Sequence, residues 1–329
     1  EDLESDSSYY VVSFFFQAED GIRELVRSRG LGELYKRQIR NSSLQRGKMT
    51  IRQIIFEATQ KLEKAGIPSA RLDAEVLLAF LLRCERLAFI KNPDDKISEK
   101  QLAAFDRLIE RRTGGEPVAY ITGRKAFWSF ALEVNPAVLI PRPDTEVIVE
   151  EALAVLRQES WRRPRILDIG TGSGAIALAL ACEVPGASIT ATDISEAALQ
   201  TAQKNAAALN VEPIVFLKGD LFEPVEGRVD LIVSNPPYIG ADEYQSLPPG
   251  VKNFEPEEAL RAGQTGLEFY EKLIYQAHGY LTENGWLLLE IGARQKQEVR
   301  AIYEAHQDFY ERIDVREDYA GLPLSLIHI

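Results

Sequence analysis

Four consecutive residues, Asn235-Pro236-Pro237-Tyr238, join hydrogen-bond acceptors to a stiff backbone directly after an apolar run at 229–233 that is typical of a buried strand. Both prolines lack an N–H, and Pro236 restricts Asn235 to extended conformations, so this segment cannot continue a sheet. The side-chain carbonyl of Asn235 and the backbone carbonyl of Pro236 could each accept one hydrogen from a planar NH2 group, with the Tyr238 ring against its plane. The segment, called the ledge below, therefore suits chemistry on an amide or amino nitrogen. The alternative is an ordinary proline-rich turn.

A glycine-rich segment after an earlier predicted strand suits a nucleoside. It reads Asp168-Ile169-Gly170-Thr171-Gly172-Ser173-Gly174-Ala175. Glycines let the backbone approach a ligand, and the helix that follows directs free N–H groups towards it. Asp193 ends the next strand about twenty residues later, where an acid can bind a ribose diol. A third strand ends in Gly219-Asp220-Leu221-Phe222, which offers apolar groups for an adenine.

The glycine spacing alone does not identify the cofactor. Gly170, Gly172 and Ala175 also satisfy the fingerprint of dinucleotide-binding proteins. Two features favour S-adenosylmethionine over a nicotinamide cofactor. Asp168 would place a carboxylate beside an amino or cationic end rather than a pyrophosphate, and the ledge contains no acid or base for hydride transfer.

Alternating strand and helix patterns predict a parallel α/β sheet that brings these segments to one edge, because ligands bind at the carboxyl ends of such strands. The predicted strands are 165–169, 188–192, 213–218, 229–234 and 285–291, with a weaker one at 312–316; the predicted helices are 175–183, 196–209 and 267–280.

The whole chain divides into five predicted segments. Helical periodicity with a capping box at Ser98 and Gln101 predicts a bundle, alternation over 118–134 predicts a β-hairpin, and Asp144 or Thr145 could cap a helix. The ends resemble translated sequencing-adapter sequence, so we expect them to be non-native and Met49 to be the natural start. The predicted segments are a non-native extension at 1–48, the helical domain at 49–113, a hairpin linker at 114–138, the α/β domain at 139–323 and a non-native tail at 324–329.

Composition limits the possible classes of protein. The chain has 329 residues, of which 45% are hydrophobic and 27% charged, as in soluble globular proteins, and no apolar run reaches membrane-spanning length. Two cysteines, Cys84 and Cys182, predict no disulfide framework, no metal site and a reducing, cytoplasmic setting. The net charge of −12 argues against a broad nucleic-acid footprint. We expect a monomer with no stable nucleic-acid or membrane partner.

Together these segments resemble the release factor glutamine methyltransferases, the PrmC/HemK family, over roughly residues 49–321. The ledge motif occurs in several amino-methylating families, whereas the run Ile140 to Glu146 joined to it is more specific. The residues that carry the resemblance are Arg111-Arg112, Gly115 to Ile121, Leu139 to Glu146, Asp168 to Ala181, Asn235 to Tyr238, Glu255-Pro256 and Leu287 to Glu290.

The resemblance implies a Rossmann-like, class I S-adenosylmethionine-dependent methyltransferase sheet preceded by a helical substrate-binding domain. It implies methylation of a glutamine N5 in release factors, which supports translation termination, with S-adenosylhomocysteine as product. The implied cofactor contacts are Gly170, Thr171, Gly172, Ser173, Gly174, Asp193, Leu221 and Asn235; the implied substrate contacts are Asn235, Pro236, Pro237 and Tyr238. The family's sheet ends in a strand after a loop containing 319–321. This sequence departs from the family at Leu322, so we expect that strand to be missing or replaced by the tail.

The ledge suggests direct in-line methyl transfer, with Asn235, Pro236 and Tyr238 as the catalytic residues. An amide nitrogen is a poor nucleophile, and two acceptors would bind its hydrogens more strongly as it becomes tetrahedral and positive. An adenine-N6 methyltransferase acting on DNA or RNA is the alternative, since an exocyclic amino group presents the same two hydrogens. A non-catalytic adaptor that docks through the helical domain would require a vestigial nucleoside site.

Overall fold

A computed structural model describes residues 49–159, 161–211, 213–310, 313–317 and 323–328. The predicted extension at 1–48 and the loop at 319–321 lie outside the described residues.

The N-terminal domain is helical, as predicted. Its helices are α1 (Ile51–Lys64), α2 (Ala70–Leu82), α3 (Leu87–Lys91) and α4 (Glu99–Thr113), and the linker adds α5 (Val118–Thr122). Capping boxes start α1, with Thr50 and Gln53, and α4, with the predicted Ser98 and Gln101. Each box satisfies N–H groups that the first helical turn leaves free. Buried apolar residues of α1, α2 and α4 share one core, which confirms the predicted bundle.

The linker differs from its prediction at its start. Residues 118–122 form helix α5, which Gly123 ends at φ 70°, and only then does the hairpin follow. The hairpin pairs β1 (Arg124–Phe127) with β2 (Phe130–Glu133). Tyr120 packs in the core of the α/β domain, and its neighbour Ile121 packs in the core of the helical domain. The prediction of a strand over 118–122 was wrong because periodicity does not separate short apolar helices from strands.

A seven-stranded sheet forms the α/β domain, in the order β5-β4-β3-β6-β7-β9-β8. Its strands are β3 (Arg165–Ile169), β4 (Ser188–Asp193), β5 (Val215–Lys218), β6 (Val229–Ser234), β7 (Leu281–Glu290), β8 (Ile313–Glu317) and β9 (Pro323–His328). Strands β3 to β7 pair in parallel, and β9 runs antiparallel to both of its neighbours. This arrangement confirms the predicted Rossmann-like sheet.

The last strand of the sheet is present. Two outcomes were expected, a missing strand or one formed by the tail, and the structure shows the second. Leu288 of β7 pairs with Ile327, and Val315 of β8 pairs with Leu326. The backbone of β9 therefore covers the edge of β7 that would otherwise expose unpaired N–H and C=O groups.

Helices cover both faces of the sheet. They are α6 (Glu146–Glu159), α7 (Ala175–Glu183), α8 (Glu196–Leu209), α9 (Ala241–Ser246), α10 (Pro249–Lys252), α11 (Glu268–Tyr280) and α12 (Lys296–Glu304). One apolar core contains α6, α7 and α8, and a second contains α11 and α12. Among the residues described, no helix has the length and apolar character needed to cross a membrane.

Candidate methyl-transfer site

The glycine turn, Gly170–Gly174, connects β3 to α7. Gly170, Gly172 and Gly174 have φ of 71°, 56° and 84°, the left-handed region that favours glycine. A Cβ on Gly170 or Gly172 would meet nothing within 4 Å, whereas one on Gly174 would lie 3.2 Å from Ala202 Cβ in α8. The first two glycines therefore leave open space for a ligand, and the third allows close packing between helices.

Asp168 lies at the end of β3, 1% exposed. Its Oδ2 accepts hydrogen bonds from Thr171 Oγ1 at 2.6 Å and from Ala177 N at 3.2 Å. Its Oδ1 is buried and has no partner among the described residues. Burial raises the pKa of the Asp168 carboxyl to about 7, although both hydrogen bonds lower it. An unpaired buried carboxylate oxygen favours a cation beside it.

Asp193 lies next to this turn, and Leu221 contacts Thr192, whose carbonyl accepts from Gly170 N. Asp193 Oδ2 accepts from Gly172 N at 2.9 Å, and its Oδ1 accepts from Ser195 N at 2.9 Å. Burial raises the pKa of the Asp193 carboxyl. The carbonyl of Leu221 accepts from Thr192 Oγ1 at 3.4 Å. The ends of β3 and β4 and the segment after β5 therefore converge on one place.

The ledge begins where β6 ends, and β6 is the neighbour of β3. Ser234 Oγ donates to Ile169 O at 2.7 Å, which ties the residue before the ledge to the residue before the glycine turn. Pro236 is buried, and Asn235 and Tyr238 are half-buried. The two halves of the predicted site thus lie at adjacent strand ends.

Two polar side chains hold the Asn235 amide. Asn235 Nδ2 donates to Thr145 Oγ1 at 3.2 Å. Glu290 ends β7 directly after Leu289, which pairs with Ser234, so its carboxylate lies close to Thr145 and Asn235. Because the Nδ2 group donates to Thr145 with the Glu290 carboxylate close by, Asn235 Oδ1 is left as the acceptor that the sequence predicts.

A glutamine holds the far end of the ledge. Gln295 Nε2 donates to Tyr238 O at 2.9 Å and to Gly266 O at 3.2 Å. A Cβ on Gly266 would lie 2.6 Å from Tyr238 O, so a glycine is needed where this loop crosses the ledge. Burial, followed by the charge of Glu290, raises the pKa of the Tyr238 hydroxyl. Tyr238 therefore stays neutral at physiological pH.

An ion pair anchors the segment 139–146 to the loop after the ledge. Arg142 Nη2 lies 2.6 Å from Glu255 Oε1, and the Glu255 side chain is only 1% exposed. Glu255 Oε2 accepts from Ile140 N at 3.1 Å. This segment carries Thr145, so the ion pair helps to hold Thr145 against Asn235.

Asn205, buried in α8, joins the linker to the glycine turn. Its Nδ2 donates to Ser173 O at 2.9 Å and to Glu133 O at 3.0 Å, and its Oδ1 accepts from Glu133 N at 2.7 Å. Three hydrogen bonds from one side chain thus connect β2 with the candidate cofactor site.

Sequence reasoning missed several of these positions. The hydroxyl of Thr145, predicted as a possible helix cap, instead accepts from Asn235. Glu290 is a charged residue that ends the apolar run 287–289, and that change of polarity at a strand end was a usable signal. Gln295 carries no comparable signal, because it follows an ordinary loop.

The open glycine turn and the ledge lie at neighbouring strand ends of a seven-stranded sheet, and this arrangement defines the class of protein as a Rossmann-like, class I methyltransferase. Residues 53–123 match the PrmC N-terminal domain family, and residues 149–246 match the methyltransferase small domain family.

Curated relatives identify the family more closely. A release factor glutamine methyltransferase of Koribacter versatilis is 42% identical over 282 residues, which cover 85% of this chain and 98% of that protein. One of Salmonella typhimurium is 42% identical over 271 residues, covering 81% and 94%. One of Aliivibrio fischeri is 38% identical over 275 residues, covering 83% and 95%. The chain belongs to the release factor glutamine methyltransferase family.

A solved structure of a release-factor-specific protein-(glutamine-N5) methyltransferase from Alicyclobacillus acidocaldarius is 30% identical to this chain. The match covers 60% of this chain and 98% of that one, with a TM-score of 0.36.

Proposed function

We propose that this protein methylates the side-chain amide nitrogen of a glutamine in peptide chain release factors, with S-adenosylmethionine as the methyl donor. The observation that supports this most directly is the hydrogen bond from Ser234 Oγ to Ile169 O, which sets the ledge beside the glycine turn. Family membership supports the choice of a release factor as substrate.

S-adenosylmethionine would be held by the glycine turn, Asp193, Leu221 and Asn235. The site fits it in two respects: the space over Gly170 and Gly172 is open, and Asp168 Oδ1 is a buried acceptor that no described residue pairs with, so it is available to a positive group. When bound, the cofactor supplies an electrophilic methyl group on a sulfonium centre and leaves as S-adenosylhomocysteine.

The ledge would hold and orient the glutamine. Asn235 Oδ1 and Pro236 O each accept one amide hydrogen, and both bonds strengthen as the nitrogen becomes positive, which stabilises the transition state. Tyr238 packs on the amide and, with Pro237, helps to exclude water. Holding the reacting atoms in line lowers the barrier further, by up to about 7–11 kcal/mol in well-oriented model reactions.

The helical domain would bind the release factor outside the glutamine. We propose a cytoplasmic monomer that forms no stable complex with nucleic acid. The exposed free thiols of Cys84 and Cys182 are compatible with a reducing compartment.

The affinity for S-adenosylmethionine should rise with pH, because the Asp168 carboxyl has a pKa of about 7 and only its ionised form attracts a cation. Between about pH 6 and about pH 8 such a group goes from about a tenth to about nine-tenths ionised, so the Kd should fall about tenfold. Isothermal titration calorimetry measures this change. Asp168→Asn should bind more weakly with a smaller pH dependence. A wild-type Kd that is constant over this range contradicts the prediction.

The proposed function is tested with S-adenosylmethionine labelled in its methyl group. The full chain is incubated with a release factor, with the same factor carrying Gln→Ala at its target glutamine, or with duplex DNA. Label on the wild-type factor alone supports the proposal. Label on DNA would establish the adenine-N6 alternative, and S-adenosylhomocysteine binding without any methyl transfer would favour the adaptor.

A further inference from the structure

We propose that Glu290 is a positioning residue that keeps the Asn235 amide turned with its NH2 group inwards and its carbonyl towards the substrate. This role rests on the proposed function of the ledge, and it assigns a task to a buried carboxylate that does not itself touch the substrate.

The burial of Glu290 shows that its charge is not there for solubility. It is 2% exposed at the end of β7, and its Oε2 has no hydrogen-bond partner among the described residues. Ser234 and Leu289 are paired between β6 and β7, so Glu290 and Asn235 follow side by side, and Asn235 Nδ2 donates to Thr145 Oγ1 at 3.2 Å. The three side chains therefore form one polar cluster behind the ledge, with the buried carboxylate beside the bond from Asn235 to Thr145.

The ionised carboxylate determines which way the amide faces. A carboxylate only accepts hydrogen bonds, so it attracts the Nδ2 hydrogens of Asn235 and repels Oδ1. A protonated Glu290 could donate its hydrogen to Oδ1, and the inverted amide would then present NH2 to the substrate. Two NH2 groups facing each other cannot hydrogen bond, so an inverted Asn235 is inactive.

The groups that face Glu290 come from several elements. The segment before α6 contributes Arg142, Asp144 and Thr145, the ledge contributes Asn235 and Tyr238, and α11 contributes Tyr270. Burial raises the pKa of the Glu290 carboxyl to about 7, and the charge of Asp144 raises it further. The hydrogen bonds from Thr145 and Asn235 and the charge of Arg142 oppose this. Glu290 thus changes its protonation near physiological pH.

The test compares kcat, and kcat/KM for the release factor, between wild type and Glu290→Gln across pH at saturating S-adenosylmethionine. In the wild type, kcat/KM should rise with pH through about 7, because kcat/KM reports the enzyme free of release factor. A glutamine at position 290 can donate as well as accept hydrogen bonds, so it no longer favours one orientation of the Asn235 amide over the other. In Glu290→Gln we expect kcat to fall about tenfold or more below the wild-type value. The rise of kcat/KM with pH, called the acid limb below, should disappear. The Kd for S-adenosylhomocysteine should stay within about twofold of the wild-type value.

Thermal unfolding separates positioning from structure. Glu290→Gln should raise the Tm at about pH 8, because it removes a buried charge whose raised pKa disfavours the folded state above that pKa. A purely structural role predicts a lower Tm together with the lower kcat. Asp230→Asn is the matched control: this carboxylate lies near the start of β6 and binds Arg165, so its loss should lower the Tm and leave kcat and the pH profile unchanged.

A second variant covers the case in which Glu290→Gln does not fold. Thr145→Val removes a hydrogen bond that lowers the pKa of Glu290, so the acid limb should move to higher pH. The inference is overturned if the acid limb does not move in Thr145→Val. It is also overturned if Glu290→Gln keeps the wild-type kcat and pH profile. Either result leaves the proposed function intact. A wild type that fails to methylate the release factor instead overturns the proposed function.

Discussion

Asn235→Ala should lower kcat for release factor methylation by about a hundredfold or more, the typical cost of removing one preorganised hydrogen-bonding group from a transition-state site. Asn235 Oδ1 is the ledge's side-chain acceptor, and Thr145 and Glu290 hold its amide in place. Alanine removes both the acceptor and the group that these side chains orient. The backbone carbonyl of Pro236 would remain, so some activity should survive.

Binding measurements should show a much smaller effect of the same substitution. Most of the proposed cofactor contacts lie on the glycine turn and Asp193, so the Kd for S-adenosylhomocysteine should rise only about threefold, about 0.7 kcal/mol. Asn253→Ala is the control, since Asn253 is an exposed asparagine in the loop after the ledge and should have normal turnover. Normal turnover in Asn235→Ala would show that the ledge is not the acceptor site.

Arg142→Ala should lower the free energy of unfolding by about 3 kcal/mol, because it leaves the buried Glu255 carboxylate without its cation. The Glu255 side chain is 1% exposed and, within the part of the chain that the structure describes, would retain only its hydrogen bond from Ile140 N. Activity should fall as well, because the segment 139–146 positions Thr145 against the Asn235 side chain. Chemical denaturation at neutral pH measures the stability change.

Adding Glu255→Gln to Arg142→Ala should restore part of this stability, because the double variant no longer buries an unpaired charge. An exposed pair provides the control. Arg261 Nη1 lies 2.8 Å from Glu257 Oε1, and both side chains are about half-exposed, so Arg261→Ala should cost only about 0.5 kcal/mol. If Arg142→Ala and Arg261→Ala lower the free energy of unfolding equally, the burial of Glu255 does not increase the cost of removing its partner.

The centre of the sheet was predictable because its strands β3 and β6 are buried on both faces. The predicted strands 165–169 and 229–234 and the helices 175–183 and 196–209 have the bounds that the structure shows. Continuous apolar runs followed by glycine or proline mark such strands clearly. The region between the ledge and α11 was not predicted, because α9 and α10 are short and polar and depend on tertiary contacts.

The site was predictable where its chemistry is local and unpredictable where it depends on distant residues. The glycine turn and the ledge are contiguous motifs, and Asp193 follows at a recognisable distance. The contact from Asn235 to Thr145 spans 90 positions, and that from Arg142 to Glu255 spans 113. No local pattern specifies such pairs, so the residues that support the ledge emerged only from the three-dimensional arrangement.

Helix α5 limits how the two domains can move. Tyr120 belongs to one core and Ile121 to the other, and Tyr120 OH also donates to Val138 O at 2.6 Å. A rotation of the helical domain about this point would pull one of two neighbouring side chains out of its core, which costs roughly 1.5–3 kcal/mol for a large apolar group. The distance between the two domains would therefore be set before a substrate binds. A substrate that contacts both domains could bind without a hinge closure at this linker.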